Sequence, residues 1–159
     1  MDGVLFALTL VTALGCGLSA GALFAFSSFV MQALDRLPAP QGIAAMQSIN
    51  VQAPTPVFMT ALFGTAVLCI VLAVWALVDW DDAYGPWLLA GSVLYLLGPA
   101  GLTMAYHVPR NNALARLDPQ GPDSAAYWTR YMREWTRGNH VRVAAGIAAC
   151  AAYIIALAA

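Results

Sequence analysis

The chain has 159 residues, of which 61% are hydrophobic and only 9% charged, and its mean hydropathy is +0.71; an ordinary soluble domain carries roughly 25% charged residues. This excludes a soluble globular domain and leaves a polytopic membrane protein, a single domain over residues 1–159. A net charge of −1 also excludes a basic surface for nucleic acid.

A spanning helix needs about 20 mostly apolar residues, and uncharged runs cover Gly3 to Leu34, Leu37 to Val78, Ala83 to Val108 and Val143 to Ala159. The first run predicts a helix over about 5–30. It starts beside an acidic Asp2 and is too long for a secretory signal, so it reads as a mature helix. Pro38, Pro40, Gly42, Pro54 and Pro56 interrupt the second run, which spans only over about 57–78. In the loop before it, "GIAAMQSINVQAP", Ile43, Met46 and Ile49 form one stripe of a short helix, with Gln47 and Asn50 on a neighbouring face. The third span covers about 86–106. Pro109 breaks or kinks it, and Asn111, Asn112 and Arg116 begin a short helical segment ended by "DPQGPD". Asp123 or Ser124 then caps a further helix, "AAYWTRYMREWTR", that leads toward a fourth span over about 140–158. The fold class is all-α: a four-helix membrane bundle with short interfacial helices in its two long loops.

Every basic residue is arginine. Arg36 follows the first span, whereas Arg110, Arg116, Arg130, Arg133, Arg137 and Arg142 lie in or beside the loop after the third; Asp79, Asp81 and Asp82 occupy the turn on the other side. The positive-inside rule therefore puts both long loops in the cytoplasm and both termini outside. Arg130, Arg133 and Arg137 read as headgroup contacts beside a belt of interfacial aromatics. Gly17 and Gly21, and the stretch Ala144 to Ala152 around Gly146, offer small-residue faces for close helix packing in lipid. Cys16, Cys69 and Cys150 lie within apolar helices without metal or redox spacing, as buried apolar thiols do.

The two halves look alike. "GALFAFSSFVMQALDRL" from Gly21 lies over "GLTMAYHVPRNNALARL" from Gly101 without a gap, which suggests a duplicated two-helix unit related by a pseudo-twofold along the membrane normal. Ser27 then corresponds to His107 and Met31 to Asn111, so the second half has the polar groups.

The fourth apolar run has only 17 residues, the lower limit for a span, so its helix begins earlier and carries Asn139, His140 and Arg142 to or below the surface. Polar side chains at that depth face a bundle interior or a wet cavity. A cavity under the cap would be lined by His107, Asn111, Asn139, His140 and Arg142, with Gln47 and Asn50 from the other half. That set has two imidazoles, neutral donors and a fixed positive charge, but few acids. With two histidines and a single glutamate, Glu134, no metal-ligand spacing is present and no metal site is expected.

"FSSFVMQALDRLP" with "GIAAMQSIN", then "HVPRNNALA", then "WTRGNHVR" before a terminal apolar helix, resembles the anthrone oxygenase family of small four-helix membrane proteins, also known as a bacterial domain of unknown function. Asn111, Asn139, His140 and Arg142 match the family's Asn-Val-Pro-x-Asn and Trp-Asn-His-Val-Arg motifs. His107 stands where the pattern usually has asparagine, and Gly138 where it usually has tryptophan.

The resemblance implies oxidation of an apolar polycyclic phenol or anthrone by O2 through a base-generated carbanion, without a cofactor. In that chemistry His140 or His107 would be the base, Asn111 and Asn139 donors to the oxyanion, Arg142 its counter-charge, and Trp128, Tyr131 and Trp135 flanks of the ring system, with Gln47 and Asn50 also binding substrate. The expected partners are a hydrophobic small molecule from the bilayer, O2 and membrane lipids, in a bacterial inner membrane, with a homo-oligomer open to the chain. Other readings are a non-catalytic membrane protein binding a lipid, quinone or partner protein, a metal- or haem-dependent oxidoreductase, and a small transporter.

Overall fold

In the computed structural model, which describes residues 1–80 and 83–159, the chain forms five helices: α1 (Gly3–Asp35), α2 (Ala39–Gln52), α3 (Pro56–Val78), α4 (Gly85–Ala115) and α5 (Ser124–Ala158). There is no strand among the described residues. All but α2 are long and apolar enough to cross a membrane, so the chain is an all-α, four-helix membrane protein. Of the acidic turn read from the sequence, Asp81 and Asp82 lie outside the described residues.

Local chemistry sets the helix starts. Asp2 Oδ1 accepts the Leu5 N–H at 2.8 Å, capping α1. Thr55 Oγ1 accepts the Phe58 N–H at 3.2 Å while Pro56 takes the first helical position of α3, where its missing N–H costs nothing.

Three helices run further than the apolar runs predict, because hydropathy marks where lipid contact ends and not where backbone hydrogen bonding stops. α1 continues to Asp35 and α4 to Ala115. Pro109 does not break α4, since the turn before it has already widened: the Val108 N–H bonds to the Thr103 carbonyl, five residues back. The expected separate helix "AAYWTRYMREWTR" is the first part of a continuous, 35-residue α5. Only Gly138 weakens the junction, by about 1 kcal/mol relative to alanine, less than the surrounding packing supplies.

α5 packs against α1 and α4, and α3 against α4. At the α1–α5 crossing a β-carbon on Gly146 would lie 3.0 Å from Ala20 Cβ, so this pair sets the close approach; Gly21, expected to share that role, faces open space. Cys16, Leu72, Leu88, Tyr95 and Tyr153 fill the bundle core. A second core lies at the loop end. There Ile43 and Met46 of α2 are fully buried against Leu114, Trp128, Tyr131 and Trp135, and a β-carbon on Gly42 would meet Trp128 Cζ2 at 2.9 Å. The aromatics of α5 expected as an interfacial belt are thus roofed by α2 and form the core of a cap.

Candidate functional site

Between cap and bundle lies a cavity of about 130 Å³. Its polar wall is Asn50 of α2, Thr103, His107 and Asn111 of α4, and Arg142 of α5; Phe26, Phe58 and Trp135 supply aromatic surface. The helices around it are locally widened: the wide turns Phe26–Val30 in α1 and Thr103–His107 in α4 supply Phe26, Thr103 and His107 to its wall, and the wide turn Thr60–Gly64 in α3 follows the lining residues Phe58 and Met59. Such turns are frequent at functional sites because they re-aim side chains within a helix.

Arg142 is 4% exposed. Its Nη1 donates to Thr103 Oγ1 at 2.9 Å and its Nη2 to Asn139 Oδ1 at 2.7 Å, while its Nε has no hydrogen-bond partner. The Trp135 ring lies 5.2 Å from the guanidinium carbon. Among the described residues the one ion pair is Arg110–Glu134 at 3.2 Å, so Arg142 is a buried cation with no carboxylate beside it.

Asn139 lies behind the cavity. Its Nδ2 donates to the Leu23 carbonyl at 2.8 Å and to Ser27 Oγ at 2.7 Å, and its Oδ1 accepts from Arg142. Both amide hydrogens are therefore spent, and Asn139 acts on the cavity by holding the guanidinium. Ser27 Oγ is also 2.9 Å from His140 Nδ1; since it accepts from Asn139, its own hydrogen is free for the imidazole. The series runs from Arg142 through Asn139 and Ser27 to His140. That last residue is exposed and borders a separate outer cleft with Arg133, Arg137 and Asp35.

His107 lines the cavity, its Nδ1 3.0 Å from the Leu102 carbonyl and its Nε2 3.2 Å from the Trp135 carbonyl. A neutral imidazole has one N–H, so one of these nitrogens keeps a lone pair that nothing donates to. Asn111 Oδ1 accepts from Tyr131 Oη at 2.9 Å and Trp135 Nε1 at 3.0 Å, which fixes both rings. Trp128 stacks on Tyr131, centroids 5.7 Å apart, outside the cavity wall. Gln47 also lies outside it: its Nε2 donates to the Leu114 and Leu117 carbonyls, both at 2.9 Å, tying α2 to the last turn of α4 and the residues just after it.

Of the residues read from sequence, the structure thus gathers Asn50, His107, Asn111, Trp135 and Arg142 around one space. It sets Asn139, Tyr131, Trp128 and Gln47 behind that wall and His140 on the far side of Ser27. Thr103, Phe26 and Phe58 were not anticipated. Thr103 had a signal, being one turn before His107 on the same face, and Ser27 had another, as the counterpart of His107 in the alignment of the two halves.

The family model described as anthrone oxygenase matches residues 56–152, more than half of the chain. The chain belongs to the anthrone oxygenase family. The match includes His107, Asn111, Trp135, Asn139, His140 and Arg142, and so most of the site; Ser27, Gln47 and Asn50 come from the segment before it. No curated protein and no solved structure matches the chain. Among the described residues of this anthrone oxygenase family member, no three His, Cys, Asp or Glu side chains come together.

Proposed function

We propose that this protein is a cofactor-independent membrane oxygenase that oxidises an apolar polycyclic phenol or anthrone with O2. The observation that carries the reading is Arg142, buried without a carboxylate and with a free Nε, in the wall of a cavity bordered by aromatic rings. An uncompensated buried cation costs several kcal/mol, which an anionic ligand oxygen offsets. An anthrone has an acidic benzylic C–H and a carbonyl that becomes an enolate oxygen when that proton leaves. Arg142 would stabilise the enolate more than the neutral ketone, which is the differential binding that accelerates deprotonation.

The proton goes to an imidazole. Of the two, His107 borders the cavity; one of its nitrogens keeps a lone pair that meets only a backbone carbonyl, so a turn of the ring toward the cavity would bring it to the substrate proton. The carbanion passes one electron to O2, the radical and superoxide combine to a hydroperoxide, and loss of water leaves the quinone, so one O2 is consumed and one water formed per substrate. The aromatic walls exclude bulk water from the anion. An apolar substrate would arrive from the bilayer, with the cap and its arginines on the cytoplasmic side.

The test is O2 consumption by the protein in lipid nanodiscs with 1,8-dihydroxyanthrone, measured against the uncatalysed background. Arg142→Met should remove the acceleration, a loss on the order of 10²–10³ for a donor to a developing oxyanion. Tight binding of the dihydroxyanthrone with O2 uptake at background would instead favour the non-catalytic binding reading.

A further inference from the structure

Phe58 lines two spaces at once. On its inner side is the cavity of about 130 Å³ that holds Arg142, and on its outer side is a groove of about 170 Å³ between α1 and α3, walled by Leu18, Ala22, Val57 and Ala61. Leu18 is 64% and Val57 80% exposed, and both belong to spanning helices, so the groove opens onto acyl chains. Its polar atoms are satisfied: Ser19 Oγ donates to the Ala61 carbonyl at 3.2 Å and accepts from Tyr95 Oη at 2.9 Å, leaving an apolar surface. Neither space alone reaches the roughly 300 Å³ at which pockets for drug-sized ligands begin; joined through the position of the Phe58 ring, they do.

We infer that the Phe58 ring is a movable partition which, swung aside, joins cavity and groove into one elongated site, open sideways to the bilayer and shaped for a flat polycyclic aromatic. This rests on the reading of Arg142 as the oxyanion partner, because the ligand then has its polar edge at the guanidinium and its apolar end in the groove. The backbone under the ring does not have to move. The Phe58 N–H is held by Thr55 Oγ1 in the first turn of α3, where few residues of the same helix precede it. A helical phenylalanine has two side-chain rotamers, near 180° and −60° in χ1. The wide turn Thr60–Gly64 directly follows.

The experiment uses the full chain in nanodiscs and, as a non-reacting anionic probe, 1,2-dihydroxyanthraquinone in its phenolate form at mildly alkaline pH, with tryptophan quenching followed by stopped flow. Ala22→Phe, on the exposed rim of the groove, should weaken binding at least tenfold and slow association. Phe58→Ala should speed association at least fivefold, and Val93→Phe, exposed on α4, which contributes nothing to the groove, should match the unmodified protein. Quenching that is lost in Arg142→Met yet unchanged in Ala22→Phe and Phe58→Ala overturns the partition alone. Quenching that is absent in the unmodified protein, or indifferent to Arg142→Met, overturns the oxyanion reading and the partition with it. If Phe58→Ala does not elute as a folded species, Ala22→Phe against Val93→Phe decides.

Discussion

A β-carbon on Gly138 would stand 3.0 Å from His107 Cε1 and 2.6 Å from Tyr106 Cε1, so α4 and α5 meet beside the cavity through the missing side chain of a glycine. The positions at which this sequence departs from the family pattern, histidine for asparagine at 107 and glycine for tryptophan at 138, are therefore in contact. The ring at 107 uses space that a large residue at 138 would take. Gly138→Ala gains up to about 1 kcal/mol of helix propensity but overpacks against two rings, which typically costs 1–3 kcal/mol. The expected net loss is about 1 kcal/mol, read from unfolding in detergent. In a His107→Asn background the loss should be smaller, with a coupling of about 0.5–1 kcal/mol in a double-mutant cycle. Equal losses in both backgrounds would show that the two positions do not share space.

Arg142→Met separates stability from function. The substitution removes a buried charge that has no carboxylate, a change that is often neutral or stabilising. Against that, Asn139 Oδ1 loses its donor, at about 1–3 kcal/mol for an unsatisfied buried group. The opposing effects should leave the melting temperature within a few degrees, while anion binding falls at least a hundredfold. Arg142→Lys keeps the charge but, with a single nitrogen, cannot reach both Thr103 and Asn139 in the same fork geometry; intermediate affinity is expected, measured by the same quenching titration.

Four spans, the cap helix and a polar cavity beneath it were legible because each leaves contrast in the sequence: charge against apolar run, proline against helix, amide and imidazole against alanine. His107, Asn111 and Arg142 stood out as polar groups at membrane depth. The helix ends were not legible, since α4 passes Pro109 on a widened turn that has no residue signature. Nor was the side on which His140 lies. Adjacent helical residues differ by about 100°, so Asn139 and Arg142 can face inward while His140 between them turns out, and only the packing of α1 against α5 decides which. Phe58 and Phe26 were invisible because an apolar wall residue in an apolar helix has no contrast at all.

Asn111→Ala should be costly for a reason separate from chemistry. It leaves Tyr131 Oη and Trp135 Nε1 without their shared acceptor, about 1–3 kcal/mol for each group that stays unpaired. Asn111→Asp keeps the acceptor oxygen and should be better tolerated. Adding Tyr131→Phe to Asn111→Ala removes one orphaned hydroxyl, so the double variant should unfold at a higher temperature than Asn111→Ala. If it does not, the hydroxyl had found another partner.

Ser27 gives the sharpest test of how the outer and inner groups are related. Its hydroxyl joins His140 to Asn139, and Asn139 holds Arg142. Ser27→Ala removes one of the two acceptors of the Asn139 amide but leaves the Leu23 carbonyl, so a stability loss of about 1 kcal/mol is expected, with affinity for an anionic probe reduced a few-fold as the guanidinium loosens. Asn139→Ala removes the whole support and should cost more in both. His140 meets the series only at its exposed end, so His140→Ala should leave both within twofold, whereas His107→Ala should lower kcat for dihydroxyanthrone oxidation by 10²-fold or more, the usual worth of a positioned base. The opposite order, with His140→Ala silencing O2 uptake while probe binding persists, would make His140 the proton acceptor and Ser27 its route to the cavity.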